Sequence, residues 1–336
     1  MSKFIMGFDA GYSNLICSYG EQAAGEPERV IILPAGAGPL ELLDRDAFGD
    51  HRLDGAARIL IDGVQWAAGI QPERFSGKSR ELHSDYPATN VYKALFYAGL
   101  AMAERDVIDV LITGLPVNQF YDSDFREQLS QRLKGEHQIS PKKKVTVKDV
   151  LVVPQPAGSY LTALEETGEN DELAASLESG MALVLDAGFF SVDWVTVEDG
   201  NIATDTADTD LRAMSRVLEA TADLMHEDYG ARPEVSRIER AVRGQQGTIT
   251  FQGKKIDFTD YYNRAAKQVA DSVLVALRSS MRDRAGSSVD AVILGGGGGA
   301  CYEVSARETF PNAVIAKLKN PVTSNAVGFW HGGRDL

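Results

Sequence analysis

Two short polar turns set in very apolar surroundings hold the residues best suited to chemistry. The first reads Phe4-Ile5-Met6-Gly7-Phe8-Asp9-Ala10-Gly11-Tyr12-Ser13-Asn14-Leu15-Ile16-Cys17. The second, about half a chain length further on, reads Ala182-Leu183-Val184-Leu185-Asp186-Ala187-Gly188-Phe189-Phe190-Ser191-Val192-Asp193-Trp194-Val195-Thr196-Val197. Each predicts a buried strand, a tight turn and a second strand, because Val, Leu, Trp and Thr favour the pleated, half-buried state and Gly permits the bend. A carboxylate placed there is costly, since burying one costs several kcal/mol unless a partner or a metal compensates. Two ordinary hairpins with Asp-Gly-type turns would share the local pattern. Both turns, however, also carry Ser or Asn shortly after the glycine.

Two more stretches join them. Pro154-Gln155-Pro156-Ala157-Gly158 closes an apolar run, and the flanking prolines fix the glutamine backbone and aim its side chain off a strand end. The run Gly295-Gly296-Gly297-Gly298-Gly299 follows the apolar 289–294. Glycines at strand ends let backbone N–H groups approach an anion directly, so two such turns could grip a polyphosphate. The aspartates Asp9 and Asp186 fit that picture only with a divalent cation between them and the phosphates, as Mg²⁺ is held through carboxylates plus phosphate oxygens. Gln155 would then suit the orientation of an attacking water. The glycine run could wrap a flat base or ribose.

A dinucleotide site is the strongest rival, since Gly295-x-Gly297-x-x-Ala300 follows a strand. That fingerprint wants an acidic residue about 20 positions on, where this chain reads Ala316-Lys317-Leu318-Lys319-Asn320. No His or Cys is placed for hydride transfer. A purely structural glycine loop is the remaining alternative. Gly77-Lys78-Ser79 looks like the end of a P-loop, but Pro72 stands where the first glycine belongs and no strand precedes it.

The elements that must position these turns follow from pattern. Strands are predicted at 29–33, as a hairpin over 59–66 around Asp62-Gly63, at 107–113, at 142–148 and at 150–153. Further strand signals are a hairpin over 248–258 around Gly253 and a strand at 289–294. Helices are predicted over 90–105, 122–134, from about 155, over 210–227 with Leu211, Met214, Leu218, Ala222 and Met225 on one face, and over 259–281 capped by Thr259. In the last of these Val269, Val273, Ala276 and Leu277 form a second core stripe. Residues 35–58 show no clean period, and 165–180 reads as a linker. The lysines at 142–144 read as a solvated edge. A helix of small residues starts within Asn320-Pro321-Val322-Thr323-Ser324-Asn325-Ala326-Val327-Gly328.

Composition narrows the classes. At 336 residues the chain can build about two domains with sizeable cores. A net charge of −14 argues against direct nucleic-acid binding, which needs a basic footprint. The two cysteines, Cys17 and Cys301, read as strand-turn residues and indicate neither a disulfide framework nor a metal site. There is no signal-peptide layout and no apolar run near 18 residues, so a cytoplasmic protein without a membrane span is expected.

Taken in order, the first turn, the Gln-bearing strand end, the second turn, the glycine-rich loop and the C-terminal Asn-Ala-x-Gly helix resemble the actin-type ATPase superfamily across essentially the whole chain. Thr113-Gly114-Leu115-Pro116-Val117 and the compact length resemble its ParM/StbA branch of bacterial plasmid-segregation actins. The resemblance implies an α/β, two-domain actin-like ATPase fold, with duplicated mixed β-sheet domains and flanking helices around a nucleotide cleft. It implies domain I at 1–164 plus 321–336 and domain II at 165–320, with small subdomains at 29–85 and 205–285. It implies ATP or GTP with Mg²⁺ at Asp9 and Asp186. Asp9, Gly11, Tyr12, Ser13 and Asn14 would form the first phosphate loop, and Asp186, Gly188, Phe189, Phe190, Ser191 and Asp193 the second. Gly295, Gly296 and Gly297 would touch adenosine, and Gln155 and Asp186 would serve hydrolysis. Such proteins self-associate into nucleotide-dependent filaments that move plasmids through an adaptor bound to centromere-like DNA. Two departures stand out. Ile16 occupies a position often held by lysine, and Phe189-Phe190 replaces the usual small residues. A sugar or small-metabolite kinase of the same superfold is the alternative, and a heat-shock-type chaperone lacks its peptide-binding domain here.

Overall fold

A computed structural model describes residues 2–46, 49–76, 85–167, 171–281 and 288–336. The Gly77-Lys78-Ser79 stretch lies outside them. The chain divides into two compact units, Met1–Glu166 with Leu318–Leu336, and Thr167–Lys317.

Unit 1 begins with β1 (Phe4–Ala10), β2 (Asn14–Glu21), β3 (Arg29–Pro34), β4 (Gly36–Pro39), β5 (Ala57–Ile61) and β6 (Val64–Ile70). It continues with α1 (Asn90–Met102), β7 (Val107–Leu115), α2 (Val117–Phe120), α3 (Ser123–Leu133), β8 (Gly135–Ser140), β9 (Lys143–Pro154) and α4 (Gln155–Glu166). Unit 2 holds α5 (Asp171–Ser179), β10 (Met181–Ala187), β11 (Val192–Glu198), β12 (Asn201–Asp210), α6 (Met214–Tyr229) and α7 (Val235–Arg243). Then come β13 (Thr248–Phe251), β14 (Lys254–Asp257), α8 (Thr259–Ser280), β15 (Ala291–Gly295), α9 (Gly299–Thr309) and β16 (Val314–Lys317). The chain returns to unit 1 as α10 (Ser324–Arg334).

The main sheets repeat one plan. Unit 1 orders its strands β3-β2-β1-β7-β9-β8, and unit 2 orders them β12-β11-β10-β15-β16. In both, three antiparallel strands are followed by two parallel ones. This is the duplicated mixed-sheet, α/β architecture expected from the sequence. Alternation along β1 explains its central place: Phe4, Met6 and Phe8 enter the core that α1 covers, while Ile5 packs on the opposite face with Phe329 and Trp330 of α10. In unit 2 Met181, Leu183, Leu185 and Ala187 play the same part against α8 and α9. A smaller cluster of Leu218, Met225, Ile238, Ile249 and Phe258 gives α6, α7 and the β13–β14 hairpin a core of their own.

Several boundaries differ from the sequence reading, for identifiable reasons. Residues 35–58 contain β4, whose Gly-Ala-Gly-Pro sequence has no large side chain to show a period. The strands predicted at 142–148 and 150–153 are one strand, β9, and 135–140 pairs with it antiparallel as β8. The 165–180 segment is not simply a linker, because α5 occupies 171–179. The helix expected from 210 starts at Met214. Leu211 is 57% exposed, and the preceding 201–210 is an edge strand. Thr259 is the first residue of α8 rather than its cap, and its N–H donates to the Asp257 carboxylate at 2.9 Å. Ala276 is only partly buried beside the fully buried Val273 and Leu277. The first helix stops at Met102, before Glu104 takes a positive φ of 55°. Cys301 lies in α9 rather than at a strand turn, and both cysteines are free thiols. No helix among the described residues is long and apolar enough to cross a membrane.

Candidate nucleotide site

The two turns have the same backbone construction. In the first, the Gly11 N–H donates to the Asn14 carbonyl at 3.0 Å, closing the loop between the Ala10–Leu15 pair. In the second, the Gly188 N–H donates to the Ser191 carbonyl at 2.9 Å, beyond the Ala187–Val192 pair. Matching registers make Asp9 the counterpart of Asp186, Asn14 that of Ser191, and Ile16 that of Asp193. Each aspartate is thus the penultimate residue of a strand that is buried up to and including it.

Asp9 is the most telling group. It is 9% exposed, and the Gln155 amide donates to its Oδ1 at 3.2 Å. Burial pushes its carboxyl up to about 6, against the opposing pull of amide hydrogen bonds from Gln155 and Asn325. Gln155 opens α4 at the end of β9, where sequence spacing placed it, and Asn325 lies in the first turn of α10. The Asn325 orientation is set from behind. The buried Ser159 hydroxyl donates to Asn325 Oδ1 at 2.7 Å, so the carboxamide NH₂ is left for Asp9. Ser159 also meets the Ser324 hydroxyl at 2.8 Å, and Thr162 donates to the Ser324 carbonyl at 2.7 Å. Small residues allow this closeness: a Cβ on Gly328 would stand 1.8 Å from the Gly158 carbonyl oxygen, so α4 and α10 cross with backbones touching.

The rest of the first turn is braced. The Tyr12 ring stacks on Tyr86 at 4.5 Å between centroids, and the Tyr86 hydroxyl donates to the Gly11 carbonyl at 3.3 Å. The Ser13 carbonyl accepts the Ala35 N–H at 3.0 Å. These contacts hold the loop from outside the apolar sheet, an economical arrangement because Tyr couples a large ring to one polar handle.

In the second turn Asp186 is 5% exposed and pairs in register with Gly295. Gly296, at φ +75°, lies so close that a Cβ there would be 2.5 Å from Asp186 Oδ1. The Gly298 N–H donates to the Ala187 carbonyl at 2.8 Å. The glycine run and the second turn are therefore one assembly, leading into α9 from an uncapped start at Gly298 and Gly299. Gly297 faces open space, with nothing within 4 Å of a Cβ added there. Asp193 is 1% exposed and accepts from Ser191 Oγ at 2.7 Å and from Thr209 Oγ1 at 2.6 Å, tying the turn to β12. Phe189 packs against the Leu218–Phe258 cluster, and its carbonyl accepts the Ser215 N–H at 2.9 Å.

Each unit thus brings its own predicted residues together: Asp9, Gly11, Tyr12, Ser13, Asn14 and Gln155 in unit 1, and Asp186, Gly188, Phe189, Phe190, Ser191, Asp193 and Gly295 to Gly297 in unit 2. Asn325, Ser159, Tyr86 and Thr209 were not singled out from sequence. Only Asn325 carried a signal, its place among small residues in Asn-Ala-x-Gly. Among the described residues no three His, Cys, Asp or Glu side chains converge as a metal cage. A buried carboxylate met mainly by neutral amides nevertheless suits a cation held jointly with phosphate oxygens.

Known proteins point the same way. Residues 7–158 match the family of actin-like proteins, N-terminal domain, and residues 184–304 match the C-terminal domain of archaeal actin homologues of MreB type. The two cover most of the chain, which belongs to the actin-like proteins. No curated protein matches it in sequence. A non-polymerisable quadruple mutant of pCBH ParM superposes with a TM-score of 0.73 at 17% identity, covering 99% of this chain and 100% of that one. An archaeal actin homolog solved in complex with ADP gives 0.74 at 15% identity, with full coverage of both chains. A subunit of a 15-stranded ParM filament from Clostridium botulinum gives 0.72 at 18% identity, again with full coverage. At such identities the likeness speaks for the fold.

Proposed function

We propose that the chain is a nucleotide-dependent, filament-forming actin-like ATPase of the ParM/StbA type, acting in the cytoplasm in plasmid or DNA segregation. The observation that carries this reading is the pair of identically closed Asp-Ala-Gly turns in two sheets of one plan, with Gln155 hydrogen-bonded to the first aspartate. Self-association, and an adaptor bound to centromere-like DNA, are the proposed partners. The formal charge of −14 suits a filament that leaves DNA contact to the adaptor.

The proposed domains are 1–164 with 321–336, and 165–320, with small subdomains at 29–85 and 205–285. The Gly11 and Gly188 N–H groups close the turns, and backbone N–H groups along Tyr12 to Asn14 and Phe189 to Ser191 would meet phosphate oxygens. Asp9 and Asp186 would hold Mg²⁺, which supplies charge neutralisation when bound with ATP or GTP. Gly295 to Gly297 would lie along the nucleoside. Gln155, with its NH₂ held by Asp9, keeps a carbonyl oxygen to accept from an attacking water, and Asp186 assists from the second turn. The kinase alternative would need a separate catalytic carboxylate. Among the described residues the buried carboxylates are Asp9, Asp186 and Asp193 within the two turns and Glu239, ion-paired with Arg243 along α7, which disfavours it.

A nucleotide at about 100 times its dissociation constant should stabilise the fold by about 2.7 kcal/mol. Thermal melts with Mg²⁺-ATP and Mg²⁺-GTP test this, and curves identical to the nucleotide-free protein would overturn the reading. In the same preparation Gln155→Ala should slow phosphate release at least about tenfold while shifting the melt as wild type does, on the scale of a lost water-orienting group.

A further inference from the structure

The aromatic pair in the second turn departs from the small residues usual there, and the structure offers a use for it. Phe189 does not join the core beneath β10 and β11. It packs instead against the separate cluster formed by Leu218, Met225, Ile238, Ile249 and Phe258, contributed by α6, α7, β13 and the start of α8. The backbone reinforces that direction. The Met214 and Ser215 N–H groups, at the start of α6, donate to the Gly188 and Phe189 carbonyls at 3.3 and 2.9 Å. The side-chain anchor and the helix-end hydrogen bonds thus both join the turn to the same module.

A second tie runs from the glycine loop. The Tyr262 hydroxyl of α8 meets Cys301 Sγ, in the first turn of α9, at 3.1 Å. Tyr262 and Met214 also pack against the Phe189 cluster. The module therefore touches the second turn directly and the glycine run through α9, the helix that follows it, while keeping its own core. Helix starts, hairpins and clusters of this size open locally at lower free energy than a central sheet, so their order responds to whatever steadies their attachment.

We propose that Phe189 is a positioning residue that couples the second turn to the α6–α7–β13–β14 module, so that a nucleotide held at Gly188 to Ser191 orders that module. This rests on the nucleotide reading above. A turn with small residues at 189 and 190 would bind through the same backbone N–H groups but lack the side-chain anchor.

Hydrogen–deuterium exchange of the full chain, with and without Mg²⁺-ADP, tests it. In wild type the ligand should slow exchange in β10, β11 and the start of α9, and also in α6, α7 and the β13–β14 hairpin. In Phe189→Ala the ligand-dependent slowing at β10, β11 and α9 should remain, while that in α6, α7 and the hairpin falls at least about threefold. Phe189→Leu, which keeps an apolar anchor, should restore most of it, and Phe190→Ala should not reproduce the loss. A general loss of stability would instead raise exchange in both regions, with or without ligand. The inference is overturned if Phe189→Ala keeps the full effect on the module. It is also overturned if wild type shows slowing at the turn and none in the module, a result that needs no variant to fold. Absence of slowing anywhere would remove the nucleotide reading, and this inference with it.

Discussion

The pairing of a buried Asp9 with Gln155 and Asn325 makes a specific claim about how that one carboxylate affects stability. Its carboxyl is pushed up to about 6 by burial, from about 4 in an unfolded chain. For an acid with a raised native value, the native state holds the extra proton between those limits. Its cost to stability is therefore absent below about pH 4, grows progressively as pH rises, and levels off above about 6. A two-unit shift corresponds to roughly 2–3 kcal/mol. Metal-free Asp9→Asn should accordingly be more stable than wild type at pH 7.5 by about 2 kcal/mol, with the gap narrowing by more than half at pH 4.5, in urea denaturation at the two pH values. The same variant should lose most of the stabilisation given by Mg²⁺-nucleotide. A gap that widened as pH fell would contradict the burial argument. The residue is thus kept at a cost in the empty protein, as expected of a group whose use lies in binding.

At the scale of elements, the site in unit 1 depends on how closely α4 and α10 approach. Asn325 reaches Asp9 because Gly158 and Gly328 let the helices touch backbone to backbone, and Ser159, Thr162 and Ser324 stitch the contact. Adding one methyl at that crossing forces the helices apart, and overpacking of this kind costs about 1–3 kcal/mol. Gly328→Ala should therefore lower the unfolding free energy by that margin, read as a lower urea midpoint, and weaken nucleotide binding together with it, since Asn325 is displaced. Gly25→Ala is a matched control, because a Cβ there meets nothing within 4 Å. Equal midpoints for the two variants would show that the crossing can relax without consequence.

At the scale of the whole molecule, the charge of −14 acts on assembly. Like-charged copies repel over about 30 Å at 0.01 M salt but only about 10 Å at 0.1 M. With a Mg²⁺-bound non-hydrolysable triphosphate, the protein pelleted in sedimentation should rise as KCl goes from about 10 to about 150 mM, with filaments visible by electron microscopy. Pelleting that falls steeply with salt would mean that opposite charges join the subunits. Monomers under all conditions would remove filament formation from the proposed function.

How much of this was legible beforehand depended on the range of the interactions involved. The two turns could be read because everything that shapes them is local: apolar alternation, a glycine at the bend, a polar residue beyond it. The hairpin at Asp62-Gly63 could be read for the same reason, and its residues take the positive φ angles of 49° and 83° that such a turn requires. The fold class followed from the family resemblance that the two turns, the Gln-bearing strand end, the glycine run and the last helix carry in order, and the two sheets do share one plan. By contrast, β12 alternates no apolar residues, since Asn-Ile-Ala-Thr-Asp-Thr-Ala-Asp-Thr-Asp is an edge strand open to water, so pattern alone missed it. The short β4 was hidden by its small residues. Only tertiary structure could show that Gln155 and Asn325 converge on Asp9, that Phe189 leaves the sheet core for another cluster, and that Gly296 presses on Asp186. Each of those contacts joins residues far apart in sequence, and no periodicity records which distant side chain fills the remaining space around a buried charge.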